Sequence, residues 1–468
     1  MKRKIATESL LFSSVAARLP RTFKARIGVL LLFAMVTIPS LNANTAFAQT
    51  VAVPANEFLN TIGANSSVNA RGETLQHTAD CVTYLGLRWL RTGIEDKTPV
   101  NDFIALHDRT GVRFGWLVGS GGTDTARLID TARQLASHGA LLAIEGPNEP
   151  NNWGFTYQGQ PGGGQRTWLP VAKYQRDLYD AVKKDPVLHN YPVWGTTENG
   201  AEMDNVGLQF ILIPAGAGTL MPEGTRYADY ANVHNYMYHP AWPGLHDNET
   251  WIASDPSSAT RVDGLYGNHG LTWAHKYTGY SEAALSTLPR VTTETGTTID
   301  SPVTEHVQAL NYMSVYLDQF KRGWSYTSIY IMRDRSDESG NQTYGFFKPD
   351  YTPRQAAVYL HNLTTILKDN GPNIAPGKLG YSIPGQPATV HNLLLQKSDG
   401  AFELVVWDER VSGSDNIVVH LGGIHPSVKV YDPTVGVAAI RSLRKIESLP
   451  LTLSDHPVIV EIPAVSRR

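Results

Sequence analysis

The stretch that decides the fold is Leu141-Leu-Ala-Ile-Glu-Gly-Pro-Asn-Glu-Pro150. Its apolar start, Leu141 to Ile144, predicts a buried strand. Gly146-Pro147 ends that strand, because the pair breaks regular structure. An amide and a carboxylate follow side by side, Asn148 and Glu149. Pro150 then forbids a continuing ladder, since it has no N–H to donate. Polar side chains set just beyond a buried strand are what the mouth of an α/β barrel presents.

Working outward, the same texture repeats. Strands are predicted at Leu59–Ala64, Arg88–Thr92, Arg113–Val118, Leu141–Ile144, Val193–Thr197, Tyr230–His234, Arg290–Thr293 and Ser328–Ile331. Helical spacing falls between them at Glu73–Leu85, Asp124–Ala136, Ala172–Val182, Val307–Phe320 and Arg354–Ile366. Strands alternating with helices predict a parallel sheet. Eight such units over about 300 residues fit a closed (β/α)8 barrel, the TIM barrel, better than a doubly wound sheet. No Gly-x-Gly-x-x-Gly follows the first strand, which weighs against a dinucleotide fold.

The barrel is expected over residues 49–368 and a linker over 369–377, Asp369-Asn-Gly-Pro-Asn-Ile-Ala-Pro-Gly377. Beyond it, over 378–468, helical periodicity gives way to alternating or apolar runs at Val390–Gln396, Phe402–Trp407, Asn416–Leu421, Ser427–Tyr431 and Pro457–Ile462. That pattern predicts a small all-β sandwich. Thr50–Val53 is β-branched enough to join it as an extra strand.

Residues 1–48 read as a secretory signal peptide. Lys2, Arg3, Lys4, Arg18, Arg21, Lys24 and Arg26 form a basic lead. Ile27 to Leu41 is a short apolar run, and Ala46-Phe47-Ala48 is a small-residue cleavage site. The apolar run is short for a membrane span. A secreted or periplasmic protein cleaved after Ala48 is therefore expected. Without residues 1–48 the chain carries 33 Lys and Arg against 42 Asp and Glu, a net charge of −9. This argues against nucleic acid or an anionic membrane as the partner and favours a neutral one. Cys81 is the only cysteine, so no intramolecular disulfide can form, and it reads as a small buried hydrophobe.

In a barrel, reacting side chains come from the C-terminal ends of strands. The carboxyl and amide candidates there are Glu149 after strand 4, Glu198 and Asn199 after strand 5, and Glu294 in Leu288-Pro-Arg-Val-Thr-Thr-Glu-Thr-Gly296 after strand 7. Strands 4 and 7 lie roughly across the mouth, so Glu149 and Glu294 can face each other. Two carboxyl groups about 5–5.5 Å apart suit a retaining glycosidase, with one nucleophile and one acid/base. The neighbouring anion and partial burial keep the acid protonated. Glu145 lies deeper and reads as a hydrogen-bonded acid inside the barrel. Arg91, if buried, needs a carboxylate partner, and Glu294 is at hand. Glu198 reads equally as a subsite contact and as a helix-start acid.

Asn148-Glu149-Pro150 after strand 4, with Glu294 after strand 7, resembles clan A of the retaining glycoside hydrolases and is similar to families 39, 30, 5 and 79, with the trailing β-domain seen in families such as 39, 30 and 79. The resemblance covers about residues 56–367. It implies that Glu149 is the acid/base and Glu294 the nucleophile. It also implies an Arg near the nucleophile, matched by Arg91, and a Tyr bonding it with a His lining the site, matched by Tyr236 and His234 in His234-Asn-Tyr236. Asn148 would hold the sugar 2-hydroxyl. The match departs at strand 8, where the clan commonly has Trp. This chain has Ser328-Ile-Tyr-Ile-Met-Arg-Asp334, in which Tyr330 or Arg333 would take its place.

Trp153, Trp168, Trp242 and Trp251 lie in the loops after strands 4 and 6, where rings either stack on sugars or pack against the loops. Gly159-Gln-Pro-Gly-Gly-Gly164 lacks the ending of a phosphate loop. His234 and His239 have no third ligand motif such as His-Glu-x-x-His, so no metal or other cofactor is expected. The reading is thus a cofactor-independent, exported glycosidase acting on a carbohydrate, with a non-catalytic glycan-binding barrel of an exopolysaccharide system and a metal-dependent hydrolase as alternatives.

Overall fold

The computed structural model describes residues 47–198, 204–238, 244–260, 273–372 and 374–464. The predicted leader up to residue 46, and Asn199, His239 and Trp242, lie outside the described residues. Eight parallel strands run Ile62–Asn65, Trp89–Gly93, Arg113–Leu117, Leu141–Glu145, Val193–Trp194, Ala231–His234, Arg290–Thr295 and Thr327–Ile329. In chain order these are barrel strands 1 to 8. Each pairs with the next, and strand 8 pairs with strand 1. Between strands 5 and 6 the pairing is the single parallel bridge Trp194–Tyr230. The expected barrel is therefore present. Strand 1 starts later than expected because the helix Ala55–Leu59 takes its first residue.

The ring is filled from within by large rings set against missing side chains. Trp89 and Trp194 are fully buried and meet edge to face at 5.5 Å, with Tyr326 against both. A Cβ on Gly63 would lie 2.3 Å from the Trp89 ring, and one on Gly115 would lie 2.8 Å from Trp194. Large beside small lets the layers interdigitate.

The five predicted helices form the outer wall, at Leu75–Leu85, Thr125–Ser137, Leu169–Lys184, Glu305–Lys321 and Gln355–Leu367. Thr74, Asp124 and Thr304 cap three of them by accepting a backbone N–H three residues on. Val100–Thr110, a helix between strands 2 and 3, was not expected. It buries Phe103 and Leu106 and packs Val100 and Ile104 against the same core, an apolar stripe at helical spacing. Cys81 is buried in the first wall helix, as expected, and burial pushes its thiol up to about 12. Among the described residues no helix is long and apolar enough to cross a membrane.

The β-domain has a six-stranded sheet and a two-stranded one around a separate core. Val390–Gln396 and Pro457–Ile462 match the expected strands. The two runs expected at Asn416–Leu421 and Ser427–Tyr431 are one bent strand, Asp415–Tyr431, whose register breaks between His420 and His425. Gly422 sits in that break with φ 67. A strand at Arg441–Leu453 was not expected. It is the sheet edge, and its charges and Pro450 are the means by which an edge is blunted. The segment before the barrel joins this domain, as expected: Gln49–Val51 pairs with Lys378–Gly380, and Val53–Pro54 with Leu395–Gln396.

Barrel and β-domain share a core. Leu393, Leu395, Val405, Trp407 and Ile459 belong to the same buried cluster as Phe58, Ala309 and Leu367. The Trp407 indole donates to Asp318 at 2.9 Å, and the Thr250 hydroxyl bonds both Asp318 and Glu409. Burial, and then Glu409, hold the Asp318 carboxyl well above the ordinary range. Trp407→Ala is expected to cost about 3–5 kcal/mol, from the cavity and the unpaired acid. Denaturant unfolding checks it, and a loss near zero would mean that the two domains stand independently.

Candidate active site

The strand-4 terminus builds the first half of the site. Gly146 packs so closely on the buried Gln175 that a Cβ would overlap its side-chain oxygen. Glu149 then takes left-handed backbone, φ 39 and ψ 61, a strained conformation for a residue with a Cβ. Its N–H donates to the Thr197 hydroxyl at 2.8 Å. Pro150 opens a short helix, Pro150–Trp153, where its missing N–H costs nothing. Asn152 donates to the second carboxyl oxygen of Glu149 at 2.9 Å.

Strand 7 supplies the second half. It runs two residues further than expected, to Thr295, so Glu294 lies within it. His234 on strand 6 is the register partner of Glu294, and the register shifts just before His234. Such irregularities re-aim side chains beside sites. Glu149, His234 and Glu294 each bring one polar atom within 4.8 Å of the others.

Around this pair the polar groups are nearly all satisfied. Arg91, within strand 2, bonds Glu294 with one nitrogen and forks onto Glu145 with the other two, at 2.9 and 2.7 Å. It also donates to the Asn148 amide oxygen at 2.7 Å. Glu145 is fully buried and takes the Thr293 hydroxyl as well, the interior role expected of it. Tyr236 donates to the other Glu294 oxygen at 2.9 Å. His234 stands 2.7 Å from Glu149 through Nδ1 and 3.1 Å from Thr293 through Nε2.

Burial sets most of the proton affinities. It drives His234 down to about 3, so the imidazole is neutral. It raises Glu294, while Arg91 and the Tyr236 hydroxyl hold the anion in place. For Arg91, burial works against the charge, and Glu145 and Glu294 outweigh it. The spacing of Glu149, His234 and Glu294 is one that a metal could use. Both nitrogens of His234 are already engaged, however, and Arg91 supplies the cation on Glu294.

A cleft of about 740 Å³ opens over these groups, lined by Asn148, Glu149, Trp153, Tyr236, Glu294 and Tyr330. That size takes a small ligand. Trp153 is 60% exposed at one side, a ring free to stack. Asn148 reaches the cleft but is held by Arg91 and Ser120. Trp168 is buried, and Trp251 is sandwiched between His391 and Arg322, so both serve packing.

Two expectations need correction. Arg333 does not reach the cleft: it donates to the Pro349 carbonyl, lies over the Tyr351 ring and is 7% exposed. Arg335, two residues on, lines the cleft instead, with Arg71 and the acids Glu95, Asp96 and Glu338. Arg71 and Arg335 both pair with Glu338. Glu198 does not line the cleft either; it is 6% exposed and meets Glu149 and His234 away from it. The missed charges lie in the loops after strands 1, 2 and 8, a placement that could have flagged them.

A second groove, of about 660 Å³, lies on the β-domain. No Trp, Tyr or Phe lines it among the described residues, so it lacks rings of the kind that stack on sugars.

No protein-family model and no curated protein sequence matches the chain. Solved structures do. A family 39 glycoside hydrolase from the gut symbiont Bacteroides cellulosilyticus WH2 superposes with a TM-score of 0.55 at 15% identity, over 88% of this chain and 82% of that one. CelM2, a bifunctional glucanase-xylanase from a metagenome library, superposes with a TM-score of 0.50 at 13% identity, over 89% and 99%. At such identities the likeness is one of fold, and the fold is that of TIM-barrel glycoside hydrolases.

Proposed function

We propose that this protein is a retaining glycoside hydrolase that cleaves β-linked glycosidic bonds in a poly- or oligosaccharide. The observation that carries the reading is the approach of a Glu149 oxygen and a Glu294 oxygen to within 4.8 Å at the floor of the cleft. Double displacement needs two carboxyl groups about 5–5.5 Å apart, whereas inversion needs room for a water between them. Glu294 attacks the anomeric carbon, and its bond forms as the bond to the leaving oxygen breaks. Glu149 gives that oxygen its proton. Water then attacks the same carbon, Glu149 takes a proton from it, and Glu294 is released. Arg91 and Tyr236 keep Glu294 aligned and anionic before attack. Trp153 offers a stacking face on the Glu149 side, where the leaving sugar departs.

Export belongs to the same proposal. Cleavage after Ala48 would leave Gln49 first, and Gln49 is already paired in the strand against Lys378–Gly380. A screen on polysaccharides and aryl β-glycosides tests the activity. Turnover that survives chelator and is lost in both Glu149→Gln and Glu294→Gln is expected. Binding without turnover across the panel would instead favour a glycan-binding barrel.

A further inference from the structure

The acid side of the site holds a third carboxyl that the two-carboxyl mechanism does not use. Glu198 follows strand 5, is 6% exposed, and sits in left-handed backbone with φ 58, like Glu149. One of its oxygens lies 3.8 Å from His234 Nδ1, the same nitrogen that stands 2.7 Å from a Glu149 oxygen, so the two carboxyls converge on one point. Two carboxyls can share a hydrogen bond only if one of them carries a proton.

The groups facing Glu198 come from four elements. Glu149 arrives from the strand-4 loop and His234 from strand 6, its Nδ1 3.8 Å from a Glu198 oxygen. Glu294 acts from strand 7, and Lys276 from the helix Trp273–Lys276. Lys276 is buried and donates to the carbonyls of Thr196 and Asn232 at 2.7 and 2.8 Å. Burial lowers it to about 7, with Glu198 opposing that fall. His234 is neutral, and the Lys276 charge favours the Glu198 anion.

We propose that Glu198 and Glu149 form a dyad sharing one proton, in which Glu198 stores the proton and delivers it to Glu149 during catalysis. Glu198 is then a positioning residue that acts through Glu149. In the first step the Glu198 O–H breaks as the Glu149 O–H forms, and Glu149 passes its proton to the leaving oxygen. The Glu198 anion left behind faces Lys276. In the second step water gives a proton to Glu149 while its oxygen bonds the anomeric carbon and the carbon's bond to Glu294 breaks, and Glu149 returns the proton to Glu198. Burial, and then Glu149, hold Glu198 well above the ordinary carboxylate range, which agrees with the resting proton lying there.

The inference rests on Glu149 being the acid/base, and the test separates the two. Glu149→Ala is assayed with azide on a 2,4-dinitrophenyl β-glycoside of the sugar that the wild type accepts. Recovered turnover with glycosyl azide as product establishes Glu149 independently. Glu198→Gln is then compared with wild type across pH on the matching 4-nitrophenyl glycoside. A pair holds its last proton to higher pH than one carboxyl does. The alkaline limb of kcat/KM is therefore expected to move down by about one pH unit, a tenfold loss on that limb with near-parallel activity at lower pH. Glu198→Asp should shift the limb less, and it serves if the Gln variant does not fold. An unmoved limb in both variants, with azide rescue intact, overturns the dyad alone. Failure of rescue overturns the acid/base assignment and the dyad with it.

Discussion

Glu294→Gln is expected to lower turnover by about four to six powers of ten, the scale seen when a covalent nucleophile is removed. An amide nitrogen or oxygen at that position cannot form and release the glycosyl ester. Arg91 and Tyr236 both bond Glu294, so the isosteric change keeps most of the local packing. Glu149→Gln should cost about two to four powers of ten, the usual worth of general acid–base help. Its loss should depend on the leaving group, large for a sugar or 4-nitrophenol and small for 2,4-dinitrophenol. That dependence separates the acid from the nucleophile. A folded variant at either position with kcat/KM close to wild type would contradict its role.

Arg91→Met carries the second large effect, this time on stability as well as activity. The guanidinium is 5% exposed and lies between Glu145, fully buried, and Glu294. Removing it leaves two buried carboxylates without their cation. Breaking a buried pair by deleting one partner costs about 3–5 kcal/mol. The measurement is denaturant unfolding, and a second variant sharpens it. Arg91→Met with Glu145→Gln removes the charge that Arg91 mainly neutralises, so part of the stability should return while activity stays low. Wild-type stability in the single variant would mean that the ion cluster is not what holds strands 2, 4 and 7 in register at the mouth.

Much of this site was legible in the chain because barrel strands are buried on both faces. Leu141–Ile144 and Arg290–Thr293 read as strands, and the position just past or near their ends reads as the mouth. Glu149 and Glu294 followed from that placement alone. Arg91 followed from the need of a buried cation for a carboxylate, although its main partner is Glu145 and not Glu294 alone. What the chain did not reveal lies where periodicity stops. Nothing in Met332-Arg-Asp-Arg335 tells which arginine faces the cleft; the Pro349 carbonyl and the Tyr351 ring, both distant in sequence, draw Arg333 away. The direction of Glu198 depends on a left-handed turn at a residue that does not ordinarily favour it. The edge strand Arg441–Leu453 hides for a related reason, since a sequence made to discourage pairing does not look like a strand.

The central claim is that Glu149 and Glu294 work by double displacement, and the stereochemistry of the first-formed product tests it most directly. Proton NMR of the anomeric signal during rapid hydrolysis of a β-glycoside reads that product before mutarotation. The carboxyl oxygens lie within 4.8 Å, so the account predicts that the β-anomer appears first and the α-anomer only later. The α-anomer appearing first would mean a single displacement by water, and would contradict the assignment of Glu294 as nucleophile.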